Sequence, residues 1–203
     1  MSAIIEYKEH AAASTLVFKR PSSRYFNEFI RLKCAPDLLA LKLFPNAKEI
    51  TESMGAYNAV RNHLKHFDFA DPKITLVCVG DGSTPRTAAL FAFRSAWTCY
   101  SVDPKIRDKT CWQRINRLLI RRRRIEEFNL ASCGKVVIVA VHSHADLTVA
   151  WDSVYASKEK VAVAIPCCKD QRIHRKGKWD EAGDIEYEDW GIWSPKRTIK
   201  IWS

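Results

Sequence analysis

ITLVCVGDGSTPRTAALFAFRSAWTCYSVDP, residues 74–104, decides how this chain folds. Residues 74–80 form a continuous apolar and β-branched run ending in glycine, the pattern of a strand buried on both faces in a parallel sheet. After the loop DGSTPR, residues 87–97 read as a helix apolar on most sides, with Pro85 suited to its first turn. TCYSVDP, residues 98–104, is a second strand closing at Asp103-Pro104. Strand, glycine turn, helix and strand in that order make a βαβ unit.

The same alternation continues downstream. KVVIVAV (135–141) and EKVAVAIP (159–166) are buried strands, and ADLTVAWDSVYAS (145–157) between them is a helix. The tail DIEYEDWGIWSPKRTIKIW (184–202) fits a terminal antiparallel pair, with Arg197–Trp202 the better strand. Residues 105–116 have a helical pattern. RLLIRRRRIEEF (117–128) fits either a continuing helix or a strand at Leu118–Arg123, and a doubly wound sheet needs a strand there. Upstream, helices are expected over 22–33 and 47–67, where Ile50, Met54, Tyr57, Val60, Leu64 and Phe67 recur at three- and four-residue steps. The expected architecture is therefore α/β, with an N-terminal helical extension (1–70) and a Rossmann-like domain (71–203). Its sheet is mostly parallel, with an antiparallel strand at the C-terminal end.

Composition narrows the setting. The chain has 203 residues, 47% of them apolar, which suits one domain with a full core. Its longest apolar run, Val161–Cys168, contains Pro166 and falls far short of the roughly 18 residues of a membrane span. The N-terminal residues lack the basic and apolar regions of a secretory signal. The seven cysteines are odd in number and form no CxxC pair. Reduced thiols and an intracellular address, cytoplasmic or nuclear, are expected. The net charge is +10, and from Lys105 to Arg124 nine basic residues face the single acid Asp108. Arg114, Arg117, Arg121, Arg122, Arg123 and Arg124 are candidate phosphate contacts, and RNA is the expected partner; a solvated face without a partner is the alternative.

Ligands of such sheets bind beyond the carboxyl ends of the strands. Gly80 and Gly82 allow close backbone approach, Ser83 and Thr84 offer hydroxyls, and the following helix start offers N–H groups. Asp103, 21 residues after Gly82, has the spacing of a carboxylate that accepts ribose hydroxyls. The plainer alternative is a tight turn at the glycines with Asp103 capping the next helix. Pro85 occupies the position of the third glycine in the dinucleotide fingerprint, which disfavours NAD, and no Walker lysine comes after the loop. Adjacent Cys167 and Cys168, with His142 and His144, match no zinc spacing, so no metal is expected.

VCVGDGST and YSVDP resemble the first two motifs of the S-adenosylmethionine-dependent methyltransferases. VVIVAVHSHADLTVAW and VAVAIPCC are similar to the subset with a His-rich turn after the fourth strand and a Pro-Cys-Cys after the fifth, some of which act on tRNA. The similarity covers residues 74–168. It implies S-adenosylmethionine as cofactor, with Gly80, Asp81 and Gly82 at its methionine part, Asp103 at its ribose and Glu126 at its adenine amine. It also implies His142, Ser143, Pro166, Cys167 and Cys168 on the acceptor side. Cys78 stands where these enzymes usually carry an acid, and Thr84 where they carry a third glycine. The rival expectation is a non-catalytic module on the same scaffold that binds RNA or a protein; a NAD-linked enzyme is a weaker one.

Overall fold

The computed structural model describes residues 4–10, 13–19, 21–168, 171–175 and 177–203. It opens with an antiparallel hairpin, β1 (Ile4–His10) and β2 (Ala13–Lys19). The helical extension expected over 1–70 therefore begins only at Arg24, since the β-branched and aromatic residues of IIEYKEH and ASTLVFK suit paired strands. Three helices follow: α1 (Arg24–Ile30), α2 (Ala35–Ala40) and α3 (Ala47–His63). Asn46 caps α3 by accepting the Glu49 N–H at 3.1 Å. Every residue from Ile50 to Val60 is buried, because α3 is wedged between α1 on one side and α4, β7 and β9 on the other.

The remaining elements are β3 (Thr75–Val79), α4 (Arg86–Arg94), β4 (Thr98–Val102), α5 (Thr110–Gln113), β5 (Leu118–Arg121) and a 3-10 turn at 125–127. Then come β6 (Leu130–Ser132), β7 (Val136–Val141), α6 (Leu147–Ser153), β8 (Val154–Ala156) and β9 (Lys160–Ile165). The chain closes with the hairpin β10 (Ile173–Arg175) and β11 (Lys178–Asp180), then β12 (Ile185–Glu188) and β13 (Thr198–Trp202).

Seven strands form one mixed sheet in the order β12-β13-β9-β7-β3-β4-β5. β5, β4, β3, β7 and β9 are parallel neighbours, while β13 runs antiparallel to both β9 and β12. The period of two along buried strands sorts their side chains into two cores. Leu76 and Cys78, Val137 and Val139, and Val161 and Val163 join the residues of α1–α4. Val77 and Val79, Ile138 and Ala140, and Ala162 and Ala164 pack against α6 on the opposite face. The chain winds outward from β3 through β4 to β5, then crosses to β7 and β9 on the other side. The carboxyl ends of β3 and β7 therefore flank the point where the winding reverses, where open α/β sheets bind ligands.

The expected helices are shorter than their sequence patterns: that over 22–33 keeps Arg24–Ile30, that over 47–67 ends at His63 and that over 87–97 ends at Arg94. Over 105–116 only Thr110–Gln113 is helical, because the Arg107 N–H donates to the Ser83 carbonyl and the Trp112 indole donates to the Leu41 carbonyl. Those two anchors hold the segment against separate elements. The helix expected over 145–157 stops at Ser153, where Val154–Ala156 pairs in parallel with β6 instead.

Candidate functional site

Gly80 and Gly82 both have positive φ, +68° and +83°, so the turn after β3 needs residues without a Cβ strain penalty. At Gly80 the need is also steric: a Cβ there would lie 2.1 Å from Oγ of Ser143. The Gly82 N–H donates to Oδ2 of Asp103 at 3.0 Å, and the Lys105 N–H donates to Oδ1 at 2.7 Å. One carboxylate at the tip of β4 thus fixes the neighbouring glycine loop. Each of its oxygens keeps a lone pair for a further donor.

Asp81 does not face the cleft. Its side chain is buried and accepts the N–H groups of Thr87 and Ala88 and the hydroxyl of Ser101. It serves as the cap of α4, and burial raises its carboxyl above the ordinary range despite those donors. Thr84 is likewise buried, and its hydroxyl has no hydrogen-bond partner among the described residues. Cys78 lies in the core shared with α3 and α4, where burial pushes its thiol well up.

A cleft of about 370 Å³ opens beside the turn, within the size range of small-molecule sites. Gly80, Gly82 and Arg86 line one wall, Asp103 and Lys105 follow β4, Arg124 and Glu126 follow β5, and His142 and His144 follow β7. The cleft thus collects Gly80, Gly82, Asp103, Glu126 and His142 from the ends of four parallel strands. Arg86 carries no weight in the sequence motifs, yet its guanidinium donates to the Asp81 carbonyl at 2.6 Å and meets Glu49 at 2.9 Å. Its charge is matched there by the Glu49 carboxylate.

Beyond β7 the backbone is unusual. His142 has φ +48°, and its N–H donates to the Ile165 carbonyl at 2.9 Å, tying the ends of β7 and β9 together. Its Nε2 lies 3.0 Å from the Lys196 carbonyl and 3.8 Å from the buried carboxylate of Glu52. Burial lowers the imidazole pKa, against the opposing pull of Glu52. Ser143 is 1% exposed and accepts the Ala145 N–H, so it supports the loop and is closed to an acceptor. Pro166 and Cys167 are half-buried after β9. The Cys167 thiol points to the His142 carbonyl at 3.6 Å, and the Cys168 sulfur lies 3.1 Å from Nε2 of His144. Both cysteine sulfurs and a His144 nitrogen fall within 4.8 Å of one another. An extended dipeptide would send the two thiols to opposite sides, but the chain bends at Cys167 and Cys168 and brings them to one.

The basic segment divides. Leu118–Arg121 is a strand, so Arg122, Arg123 and Arg124 come after it as an exposed run, and Arg114 is also exposed. Arg117 donates to the Ala92 and Ser95 carbonyls at the end of α4, and Arg121 covers the Tyr100 ring at 5.3 Å. Arg122 forms an exposed ion pair with Asp108. Glu52 and Arg86 are the site residues that sequence reading misses. They sit on helices read as core and as βα connection; Arg86 lines the cleft, whereas Glu52 is buried on α3 behind His142.

Compared with models of known protein families the chain matches none, and no curated protein matches it in sequence.

Proposed function

We propose that the chain is an S-adenosylmethionine-dependent methyltransferase on a Rossmann-like scaffold, acting on RNA. The observation that carries this reading is the cleft at the winding reversal, where a positive-φ glycine turn, Asp103, Glu126 and His142 converge from successive strand ends. The five parallel strands closed by antiparallel β13 agree with that scaffold. Fold likeness alone does not carry an activity.

The residues present suit the cofactor. Gly80 and Gly82 remove side chains where a ligand must approach backbone, and the remaining lone pairs of Asp103 suit a pair of ribose hydroxyls. Arg86, beyond its pair with Glu49, can turn a remaining guanidinium N–H toward an amino-acid carboxylate, and exposed Glu126 offers an acceptor to an adenine amine. When bound, S-adenosylmethionine supplies an electrophilic methyl group on a sulfonium. The protein's part is to hold an acceptor in line and keep it there, since proximity and orientation account for most of such catalysis. A neutral His142 beside Glu52 can take the proton of a nitrogen or oxygen acceptor. Arg124 and Lys105 line the cleft, and exposed Arg122 and Arg123 continue the basic run beyond it, supplying the charge that an RNA backbone requires.

A second reading rests on Asp81 and Asp103, both of which already serve the loop backbone: a non-catalytic module that keeps the scaffold and binds RNA. Calorimetric titration with S-adenosylhomocysteine, and with NAD as control, separates the two. Stoichiometric binding of the former and none of the latter is expected. An RNA-binding protein that takes up neither S-adenosylmethionine nor S-adenosylhomocysteine would establish the module instead.

A further inference from the structure

We propose that His144, Cys167 and Cys168 form a binding site for one thiophilic divalent metal ion, Zn²⁺ by preference, at the carboxyl ends of β7 and β9. The inference stands apart from methyl transfer and needs no cofactor in the cleft. β7 and β9 are parallel and in register, Val141 opposite Ile165, so the residues just beyond them emerge at one edge. His144 lies three positions after Val141, and the cysteines lie two and three positions after Ile165.

The spacing fits ligands around a shared ion. The Cys168 sulfur is 3.1 Å from Nε2 of His144, and the Cys167 and Cys168 sulfurs are 3.5 Å apart. Tetrahedral Zn²⁺ with its usual bond lengths sets S···S at about 3.8 Å and S···N at about 3.6 Å. Two of the three donor pairs are thus within about half an ångström of ligand spacing and the third lies within 4.8 Å, whereas a disulfide would require the sulfurs to close to about 2.05 Å. Two thiols and an imidazole favour Zn²⁺ over Mg²⁺ or Ca²⁺, which take oxygen ligands.

The surroundings hold the donors in place. Gln171, 3% exposed, donates its amide to the carbonyls of Ser143 and Ala145, on either side of His144, at 2.9 and 3.3 Å. It clamps the segment after the cysteines to the loop that carries the histidine. Cys168 and His144 are exposed, so an ion reaches the site without opening the core. Binding ionises both thiols and releases two protons, and the metal–sulfur bonds take up the sulfur lone pairs. Three ligands among the described residues leave a fourth position. Since His144 also forms part of the cleft wall, that position suits water or a donor atom of a molecule held in the cleft.

The test uses the full chain, reduced with a phosphine and stripped by chelator, then titrated with Co²⁺ and back-titrated with Zn²⁺. One Co²⁺ per chain is expected, with thiolate-to-cobalt charge transfer and the intense visible bands of a tetrahedral site, both erased by one equivalent of Zn²⁺. His144→Ala and Cys167→Ser should each weaken binding by more than the ~10- to 100-fold typical for loss of an outer partner of a ligand. The pair Cys111→Ser and Cys133→Ser, both at exposed positions, should leave the spectrum unchanged. Far-ultraviolet circular dichroism checks that each variant folds. A wild-type chain that takes up no stoichiometric Co²⁺, or a cobalt spectrum that survives Cys167→Ser with Cys168→Ser, overturns the site. So does a Cys167–Cys168 disulfide in protein purified with Zn²⁺ present.

Discussion

Asp103 has two roles that one substitution would confuse. Its carboxylate accepts the Gly82 and Lys105 N–H groups, so Asp103→Ala removes both the loop's anchor and the proposed ribose partner. Asp103→Asn retains an acceptor for one of those N–H groups and removes the charge. We expect Asp103→Asn to fold normally and to weaken S-adenosylhomocysteine binding by roughly 1.5–3 kcal/mol, the range for hydrogen bonds to a charged group. Calorimetry on the folded variant reads this directly, and unchanged affinity would reduce Asp103 to a loop anchor. Gly82 gives a separate test. Its φ of +83° disfavours any side chain, and a Cβ there would stand 3.0 Å from the Arg86 guanidinium. Gly82→Val should abolish cofactor binding while the thermal transition stays cooperative, since the turn is a loop beyond the carboxyl end of β3. Normal binding in that variant would place the ligand elsewhere.

At the scale of elements, the C-terminal hairpin is tied to the end of the chain by charge. Arg175, on β10, donates to Asp180 and Asp184, and Asp184 also accepts the Ser203 N–H at 2.7 Å. The Arg175 bond, foremost, holds the Asp184 carboxyl down at about 2. An unfolded aspartate titrates near 3.9. The stabilisation is therefore complete above about pH 4 and is lost as pH falls from there through about 2. Asp184 is 41% exposed, so solvent screening keeps the contribution under about 1 kcal/mol. Urea unfolding should show Asp184→Asn less stable than wild type at pH 7 and equal to it near pH 2. A difference that persists undiminished at pH 2 would mean packing, and not charge, is responsible.

For the whole molecule, the question is where the +10 net charge acts. Arg117 and Arg121 are committed to the fold through the end of α4 and the Tyr100 ring, which leaves Arg114, Arg122 and Arg123 exposed outside the cleft. Burying such groups unpaired would be costly, so their exposure is physically expected and does not by itself imply a partner. If about four cations contact phosphates, log affinity for single-stranded RNA should fall against log salt with a slope near −3, at about −0.7 per phosphate. Replacing Arg114, Arg122 and Arg123 by Gln should flatten that slope by about 2 while S-adenosylhomocysteine affinity stays the same. Salt-insensitive binding, or none at low salt, would make the basic segment a solvated face.

Local sequence was enough to determine the strands at 75–79, 98–102, 136–141 and 160–165, and the turn at Gly80 and Gly82. A strand buried on both faces is apolar at nearly every position, and a positive φ selects glycine, so both leave their mark on residues close together in the chain. The sheet's ambiguous edge at Leu118 was legible only as a choice between helix and strand, and pairing with β4 decided it. Tertiary structure alone decided what the polar side chains do. Asp81 turned from the cleft to cap α4, Ser143 filled the space that Gly80 leaves, and Glu52 reached His142 from a helix 90 residues away. The meeting of His144 with two adjacent cysteines also depends on β7 and β9 lying in register and on the bend after Pro166. Periodicity records which residues are buried, but the partner of a buried polar group is set by elements distant in sequence, and no local pattern encodes that choice.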